Sequence, residues 1–397
     1  MTVLPPDTAW MQRDDLVRLI AALGPKNARY VGGAVRDTLL EIAVKDIDVA
    51  TPLDPREVMR RLKAQGIQVV PTGIDHGTVT AILPGGPVEI TTLRHDVSTD
   101  GRRATVAFAQ DWQDDAARRD FTINALYADP VSGEVFDWFG GLTDLKDRKV
   151  RFIGEARQRI CEDHLRILRY FRFQARFGSQ PADPESEIAC SELAATLKGL
   201  SRERVGMEMI TLLGLPDPAP TAMRMAELGV LQVVLPEADT NALAALVAEE
   251  SRQGAAPDAL RRLAALLPPD AQLAEAVASR FRLSGAKKKR LVLAAGRNIE
   301  VPLSSEEERV LPARALAYHL GLTAALDRLL LTSQSIARLK DWDVPVFPLK
   351  GGEIVARGVK AGPDVARTLK AVEACWVAEG FPAAARVQEL LGEVLRG

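Results

Sequence analysis

Two aspartates two residues apart, Asp46 and Asp48 in KDIDVA, are the first sign of chemistry in this chain. On a β-strand, residues i and i+2 share a face. The two carboxylates then stand side by side, where like charges oppose folding. A hard divalent cation reverses that sign. Mg²⁺ prefers oxygen ligands and commonly takes one or two carboxylates plus substrate phosphates. Two such ions can activate an attacking hydroxyl and steady a leaving pyrophosphate. Alone, the pair is explained slightly better by an exposed strand edge with two solvated acids. The preceding VGGAVRD shifts that balance. Gly32 and Gly33 stop a β-branched run and let a ligand approach the backbone. The helix start beyond them offers unpaired N–H groups, and Arg36 can fork onto a phosphate. A plain strand-to-helix turn explains the glycines by themselves, but not a cradle followed so closely by two metal-binding acids.

Two further constellations carry polar groups at regular spacing. RRDFTINAL, Arg118 to Leu126, reads as helical, with Asp120 and Asn124 one turn apart, Arg119 nearby, and Ile123 and Leu126 facing the core. Such a set can hold a triphosphate and a ribose; a capped amphipathic helix accounts for it equally well. EDHLRILRYFRFQARFG, Glu162 to Gly178, sets Arg166, Arg169, Arg172 and Arg176 along one helical side and Ile167, Leu168, Phe171 and Ala175 along another. Solvated helix faces usually mix charge signs. Here the acids Glu162 and Asp163 stand only at the start, which suits an anionic ligand. Asp163 can accept from an exocyclic amine, and Arg166 can donate to ring nitrogens or carbonyls. Cytosine and adenine offer that amine; uracil and guanine offer a carbonyl. The pair would therefore admit C and A. Glu89, in VEITTLR, could add a carboxylate if its strand lay beside KDIDV; as a solvent-facing glutamate it is assigned no role.

These residues need a scaffold, and the chain has one to spare. At 397 residues and 47% hydrophobic composition it exceeds one ordinary domain. Short β-rich runs, ARYVGG, KDIDVA, HGTVTAIL and VEITTLR, alternate with helical segments such as DPREVMRRLKAQG up to about Val150. From about Glu155 helical runs dominate, punctuated by GLPDPAP, LLPPD and KAGPD. The expectation is an α/β head followed by an all-helical remainder. A net charge of −2 gives no support to a nucleic-acid coat or polybasic anchor. Three scattered cysteines, Cys161, Cys190 and Cys375, fit neither a disulfide framework nor a zinc knuckle. With no apolar signal core and no long uncharged run, the chain reads as a cytoplasmic protein with no membrane association.

Taken together, GGAVRD, KDIDVAT, GRRATVAF, RRDFTINAL, EDHLRILRYFRF and the later SRERVGMEM resemble the class II tRNA nucleotidyltransferases, the family of CCA-adding enzymes and bacterial poly(A) polymerases. The resemblance covers roughly the first half of the chain. It implies an α+β fold, with a polymerase-β-like catalytic head carrying a mixed or antiparallel sheet (1–150) and an all-α neck for base recognition (151–215). A helical body (216–300) and a tRNA-binding tail (301–397) would follow. It implies Asp46 and Asp48 as catalytic ligands of two Mg²⁺ ions. Gly32, Gly33, Arg36, Arg119, Asp120 and Asn124 would hold the nucleotide. Asp163 and Arg166 would read its base, with Glu162 orienting them and Arg169 and Arg172 completing the pocket. His95 to Phe108 would be a flexible loop implicated in switching from C to A. CTP and ATP would be substrates and tRNA the partner, with no obligate protein partner evident. Lys287, Lys288, Lys289 and Arg290 form the densest basic cluster of the helical half; they suit tRNA phosphates, or simply a solvated helix face. Poly(A) addition is the alternative activity, disfavoured by the non-basic ending VQELLGEVLRG. A non-catalytic RNA binder would have no need of two adjacent acids, and a small-molecule nucleotidyltransferase would leave the helical half without a task.

Overall fold

The structure, a computed structural model, describes residues 2–5, 7–100, 103–108, 111–297 and 306–396, with backbone alone for 95–108 and 306–312 within those limits. Two compact units emerge: Met1–Glu208 with Arg224–Pro236, and Met209–Met223 with Glu237–Gly397. The expected head and most of the neck fall in the first, the body and tail largely in the second.

The first unit is built on a seven-stranded mixed sheet. Its elements begin with α1 (Asp14–Leu23), β1 (Arg29–Val31), α2 (Gly33–Leu39), β2 (Ile47–Thr51), α3 (Pro55–Ala64), β3 (Gln68–Gly73), β4 (Thr78–Leu83) and β5 (Gly86–Thr92). A separate two-stranded ribbon, β6 (Arg94–Asp100) and β7 (Arg103–Phe108), comes next. Then follow α4 (Trp112–Ala117), β8 (Tyr127–Ala128), β9 (Val135–Phe136) and α5 (Gly141–Lys146). The sheet order is β3-β4-β5-β2-β1-β8-β9. Only β2 and β5 run parallel; every other neighbouring pair is antiparallel. This is the expected α+β arrangement.

Period-two burial makes β2 what the sequence suggested. Ile47 and Val49 are buried, while Asp48 lies on the other face, half-exposed. The N-cap of α3 is Asp54, whose carboxylate accepts from the Arg56 N–H at 2.8 Å, with Pro55 opening the first turn. Under the sheet, Val31, Ala50, Leu93, Ala116, Ala125, Tyr127 and Ile153 form a core cluster, with Trp112 and Trp138 packed against it.

Three expectations need correction. RRDFTINAL is not a helix: α4 ends at Ala117, Phe121 is extended and bridges Phe152, and only Thr122–Asn124 makes one 3₁₀ turn. Thr, Ile, Asn and Phe are mediocre helix formers, and Asn and Asp compete for backbone hydrogen bonds. EDHLRILRYFRF is not one helix either. Helix α6 (Ala156–Glu162) ends before Asp163, which is extended (φ −150°, ψ 104°), and α7 (Arg166–Phe177) starts three residues later. His95 to Phe108, expected as a loop, is the β6–β7 ribbon in its described backbone, Gly101 and Arg102 lying outside the described residues. Beyond α7 the first unit continues with α8 (Pro184–Glu192) and the start of α9 (Arg202–Leu213).

The second unit is helical throughout its described elements. Helices Thr240–Gln253, Ala259–Leu266, Glu306–Leu320 and Leu322–Leu331 surround one apolar cluster, with Trp342 packed against it. Helices Pro363–Ala378 and Ala384–Arg396 close over Trp376 in another. Among the described residues no helix is long and apolar enough to cross a membrane.

Candidate active site

The sheet brings its acids together through register. Across the parallel β2–β5 pair, Asp48 stands directly opposite Glu89; across β1–β2 it stands opposite Val31, the residue before the glycine turn. Asp46 precedes β2 by one residue and is exposed. Partial burial, then the carboxylates of Glu89 and Asp46, push the Asp48 carboxyl up to about 6, against the pull of Arg119. Glu89, which the sequence left without a role, is thus part of the acidic site. Carboxylates crowded in this way repel one another, and a hard cation would relieve that repulsion. Among the described residues no three such donors are gathered closely enough to hold an ion unaided.

Beside the acids lies a cavity of about 460 Å³. It is lined by Gly32, Gly33, Arg36, Arg119, Asp120, Asn124, Arg169 and Arg172 together with Asp46 and Asp48, all foreseen as site residues, and by Asp37, Lys45, Phe173 and Arg176, which were not. Gly32 caps α2 with φ 69°, a left-handed value that favours glycine. A Cβ there would come within 3.5 Å of the Arg119 Nη1. Because α2 has only seven residues, the positive character of the cradle comes mainly from its cationic side chains.

Those side chains are already held. Arg36 is 5% exposed and packs its guanidinium 4.1 Å from the Phe177 ring centroid. It donates Nε to Asp37 at 2.8 Å and Nη1 to Asn124 Oδ1 at 2.5 Å. Burial pulls its pKa below the ordinary arginine value. Asn124 in turn donates Nδ2 to Asp120 at 2.9 Å, and Asp120 accepts from Arg169 Nε at 2.9 Å. The contact foreseen between Asp120 and Asn124 therefore exists, made by a turn rather than a helix. Burial would raise the Asp120 carboxyl; Arg169 and Asn124 hold it below its usual range. Arg172 donates to Glu208 at 2.6 Å, and Arg176 to Asp37 at 3.3 Å. With three of five N–H groups spent on Asp37 and Asn124, Arg36 keeps two for a ligand.

Glu162, Asp163 and Arg166 are not among the residues lining this cavity. Glu162 grips Arg166 at 2.5 Å. Asp163, however, is oriented by Arg204 at 2.7 Å and by the Leu165 N–H at 3.1 Å, not by Glu162. Its carboxylate retains lone pairs, and Arg166 retains donors beyond those spent on Glu162 and on the carbonyls of Arg118 and Arg159. The sequence missed Asp37, Lys45, Arg176, Arg204 and Glu208 as supports. Asp37 and Arg176 lie inside segments already singled out and could have been paired by charge.

In the helical half, Lys287 to Arg290 lie on helix Gly285–Ala295. Lys287 and Lys289 are exposed, and Lys288 pairs with Glu275 at 2.7 Å. Arg290 forks onto Asp327 at 2.7 and 2.9 Å and reaches Asp258 at 2.8 Å, so its guanidinium is committed within the fold.

Comparison with known proteins is consistent across sequence and structure. Residues 28–151 match the poly A polymerase head domain, and 182–241 the probable RNA and SrmB-binding site of polymerase A. Over 367 residues the chain is 34% identical to a Mus musculus protein named CCA tRNA nucleotidyltransferase 1, mitochondrial, spanning 89% of this chain and 83% of that one. Over 193 residues it is 44% identical to the CCA-adding enzyme of Streptococcus pyogenes serotype M5, spanning 48% of this chain and 46% of that one. The crystal structure of the Bacillus stearothermophilus CCA-adding enzyme in complex with CTP shares the fold with a TM-score of 0.68 and 25% identity, over 92% of both chains.

Proposed function

The chain belongs to the CCA tRNA nucleotidyltransferase family, and from that premise we propose that it adds C, C and A to tRNA 3′ ends from CTP and ATP. The observation that carries this reading is one cavity joining Asp46 and Asp48 to Gly32, Gly33, Arg36 and Arg119, with Glu89 opposite Asp48. Asp46 and Asp48, with Glu89 beside them, would hold Mg²⁺. Bound there, two ions would neutralise the triphosphate and make the RNA 3′-hydroxyl a better nucleophile. That hydroxyl attacks the α-phosphate in line, and pyrophosphate leaves.

The chain's own residues place the reactants. Arg36 spends its two remaining N–H groups on the triphosphate, and its Asp37–Asn124 clamp fixes it beforehand, so little ordering is required at the moment of binding. Arg119 faces the Gly32 turn from the other side. Asp163 accepts the exocyclic amine of C or A, and Arg166 donates to the neighbouring ring position. Arg204 and Glu162 hold that pair in place. The compartment proposed is the cytoplasm, on the strength of three unpaired thiols.

Purified protein is incubated with tRNA lacking its CCA end and Mg²⁺, with each nucleoside triphosphate singly and in pairs, and products are sized. A three-nucleotide extension requiring both CTP and ATP is expected. A long ladder with ATP alone would assign poly(A) addition instead, and tRNA binding without extension would make the chain a binder.

A further inference from the structure

One buried carboxylate of the head has no place in the chemistry above. Asp115, in α4, is 1% exposed. An ionised carboxylate is buried only where partners compensate for lost water, and Asp115 gathers four. Its Oδ1 accepts from the Arg94 main-chain N–H at 3.3 Å and from Arg118 Nε at 2.8 Å. Its Oδ2 accepts from the Tyr127 hydroxyl at 2.5 Å and from Arg119 Nη2 at 3.3 Å. Burial alone would lift this carboxyl; Arg119, Arg118 and Tyr127 together bring it below its usual range.

The donors divide by oxygen. Those on Oδ1 fix Asp115 itself, one from the first residue of β6 and one from the end of its own helix. Those on Oδ2 fix Arg119, directly and through Tyr127, whose hydroxyl also accepts from Arg119 Nε at 3.0 Å. The guanidinium also lies against the Tyr127 ring, 5.2 Å from its centroid. With the Nε and Nη2 edges held this way, the edge turned toward the Gly32 cradle is Nη1, the atom nearest a Cβ at that position.

We propose that Asp115 is a positioning residue, which with Tyr127 aims the Nη1 edge of Arg119 at the bound nucleotide. The proposal rests on the reading of the cavity as the nucleotide site. Asp115 touches no substrate; it acts through Arg119. Misaiming a charged donor by about 1 Å can cost on the order of 10²-fold in rate, so a supporting carboxylate has a measurable kinetic signature.

The test uses full-length protein and tRNA lacking its CCA end. Wild type, Asp115→Asn, Tyr127→Phe, Arg119→Ala and the Asp115→Asn/Arg119→Ala double variant are compared. For each, kcat and the KM values for CTP, ATP and tRNA are measured. Asp115→Asn is expected to lower kcat/KM for both nucleotides by about 10–100-fold and leave the KM for tRNA unchanged. Tyr127→Phe, which keeps the ring in the core, should move in the same direction by less. In the Arg119→Ala background, Asp115→Asn should add almost nothing. If the losses from Asp115→Asn and Arg119→Ala multiply, or if the KM for tRNA rises as much as that for nucleotide, Asp115 is structural and the proposal fails. If Asp115→Asn does not fold, the same cycle with Tyr127→Phe and Arg119→Ala decides it by the same criteria. Should Arg119→Ala extend tRNA like wild type, the placement of Arg119 on the nucleotide fails first, which is a separate result.

Discussion

The two units each bury arginines against carboxylates, but to opposite ends. In the helical unit, Glu250 is 2% exposed and takes Arg261 Nε at 2.7 Å and Arg262 Nε at 2.8 Å. Arg262, 1% exposed, spends three of its four other donors on the carbonyls of Leu213, Leu215 and Pro216. Arg290 forks onto the fully buried Asp327. These groups are paired within the fold, although burial still holds the Asp327 carboxyl above its usual value. In the head, Arg36, Arg169 and Arg172 are also matched to acids, but each lines a cavity, and at Asp48 the carboxylates of Glu89 and Asp46 together with burial outweigh the pull of Arg119. The balanced network holds helices together; the acid-rich one leaves charge that a ligand could meet. Charge left uncompensated is therefore the better guide to chemistry than charge buried.

The largest effect should come from removing the unbalanced acids. Asp48→Ala or Asp46→Ala is expected to cut extension of tRNA by at least about 10³-fold, with the melting temperature unchanged or higher. An active Asp48→Ala protein would end the contrast, since the acids would then be idle. Next comes the balanced network. Glu250→Ala should lose about 3–5 kcal/mol of stability by stranding buried guanidinium groups, read in urea unfolding, while kcat per folded molecule stays normal at low temperature.

A pH experiment sharpens the same contrast. With the Asp48 carboxyl raised from 3.8 to about 6 in the folded protein, its protonated form is the one favoured by folding. Its destabilising effect is absent below the unfolded value, grows as pH rises between the two, and is complete above the folded one. In EDTA, Asp48→Asn should raise the melting temperature at pH 7, by at most about 3 kcal/mol in stability, and leave it unchanged near pH 3.5. Adding Mg²⁺ at pH 7 should stabilise wild type and not Asp48→Asn. A loss of stability at pH 7 instead would mean that Asp48 is compensated within the fold. The smallest effect separates neighbours on one helix. Lys287→Ala and Lys289→Ala should each reduce the salt dependence of tRNA binding by about one unit of slope or slightly less. Arg290→Ala should lower the melting temperature and leave that slope alone.

What the sequence made legible is what short-range pattern encodes. Alternation placed Asp48 opposite in facing to Ile47 and Val49, and the glycine pair marked the turn into α2. RRDFTINAL has helical side-chain spacing but no helix, because Phe121 to Asn124 are poor helix formers. The β6–β7 ribbon, expected as a loop, was not legible: RHDVSTD and RATVAF each hold only two β-branched residues, a weak strand signal. The supports were harder to see. Arg176 meets Asp37 from 139 residues away, and Arg204 meets Asp163 from 41. No local period announces such partners; only the folded sheet and the α6–α7 break put them in reach.

The parallel pairing of β2 with β5 has a consequence for how the head assembles. Asp48 and Glu89 face each other only when β2 and β5 pair across the intervening α3, β3 and β4, a non-local closure. Burying Val88 and Ile90 fixes the register, because a slip of one residue would turn Glu89 to the opposite face. The repulsion at the acidic site thus belongs to the paired sheet and not to either strand alone.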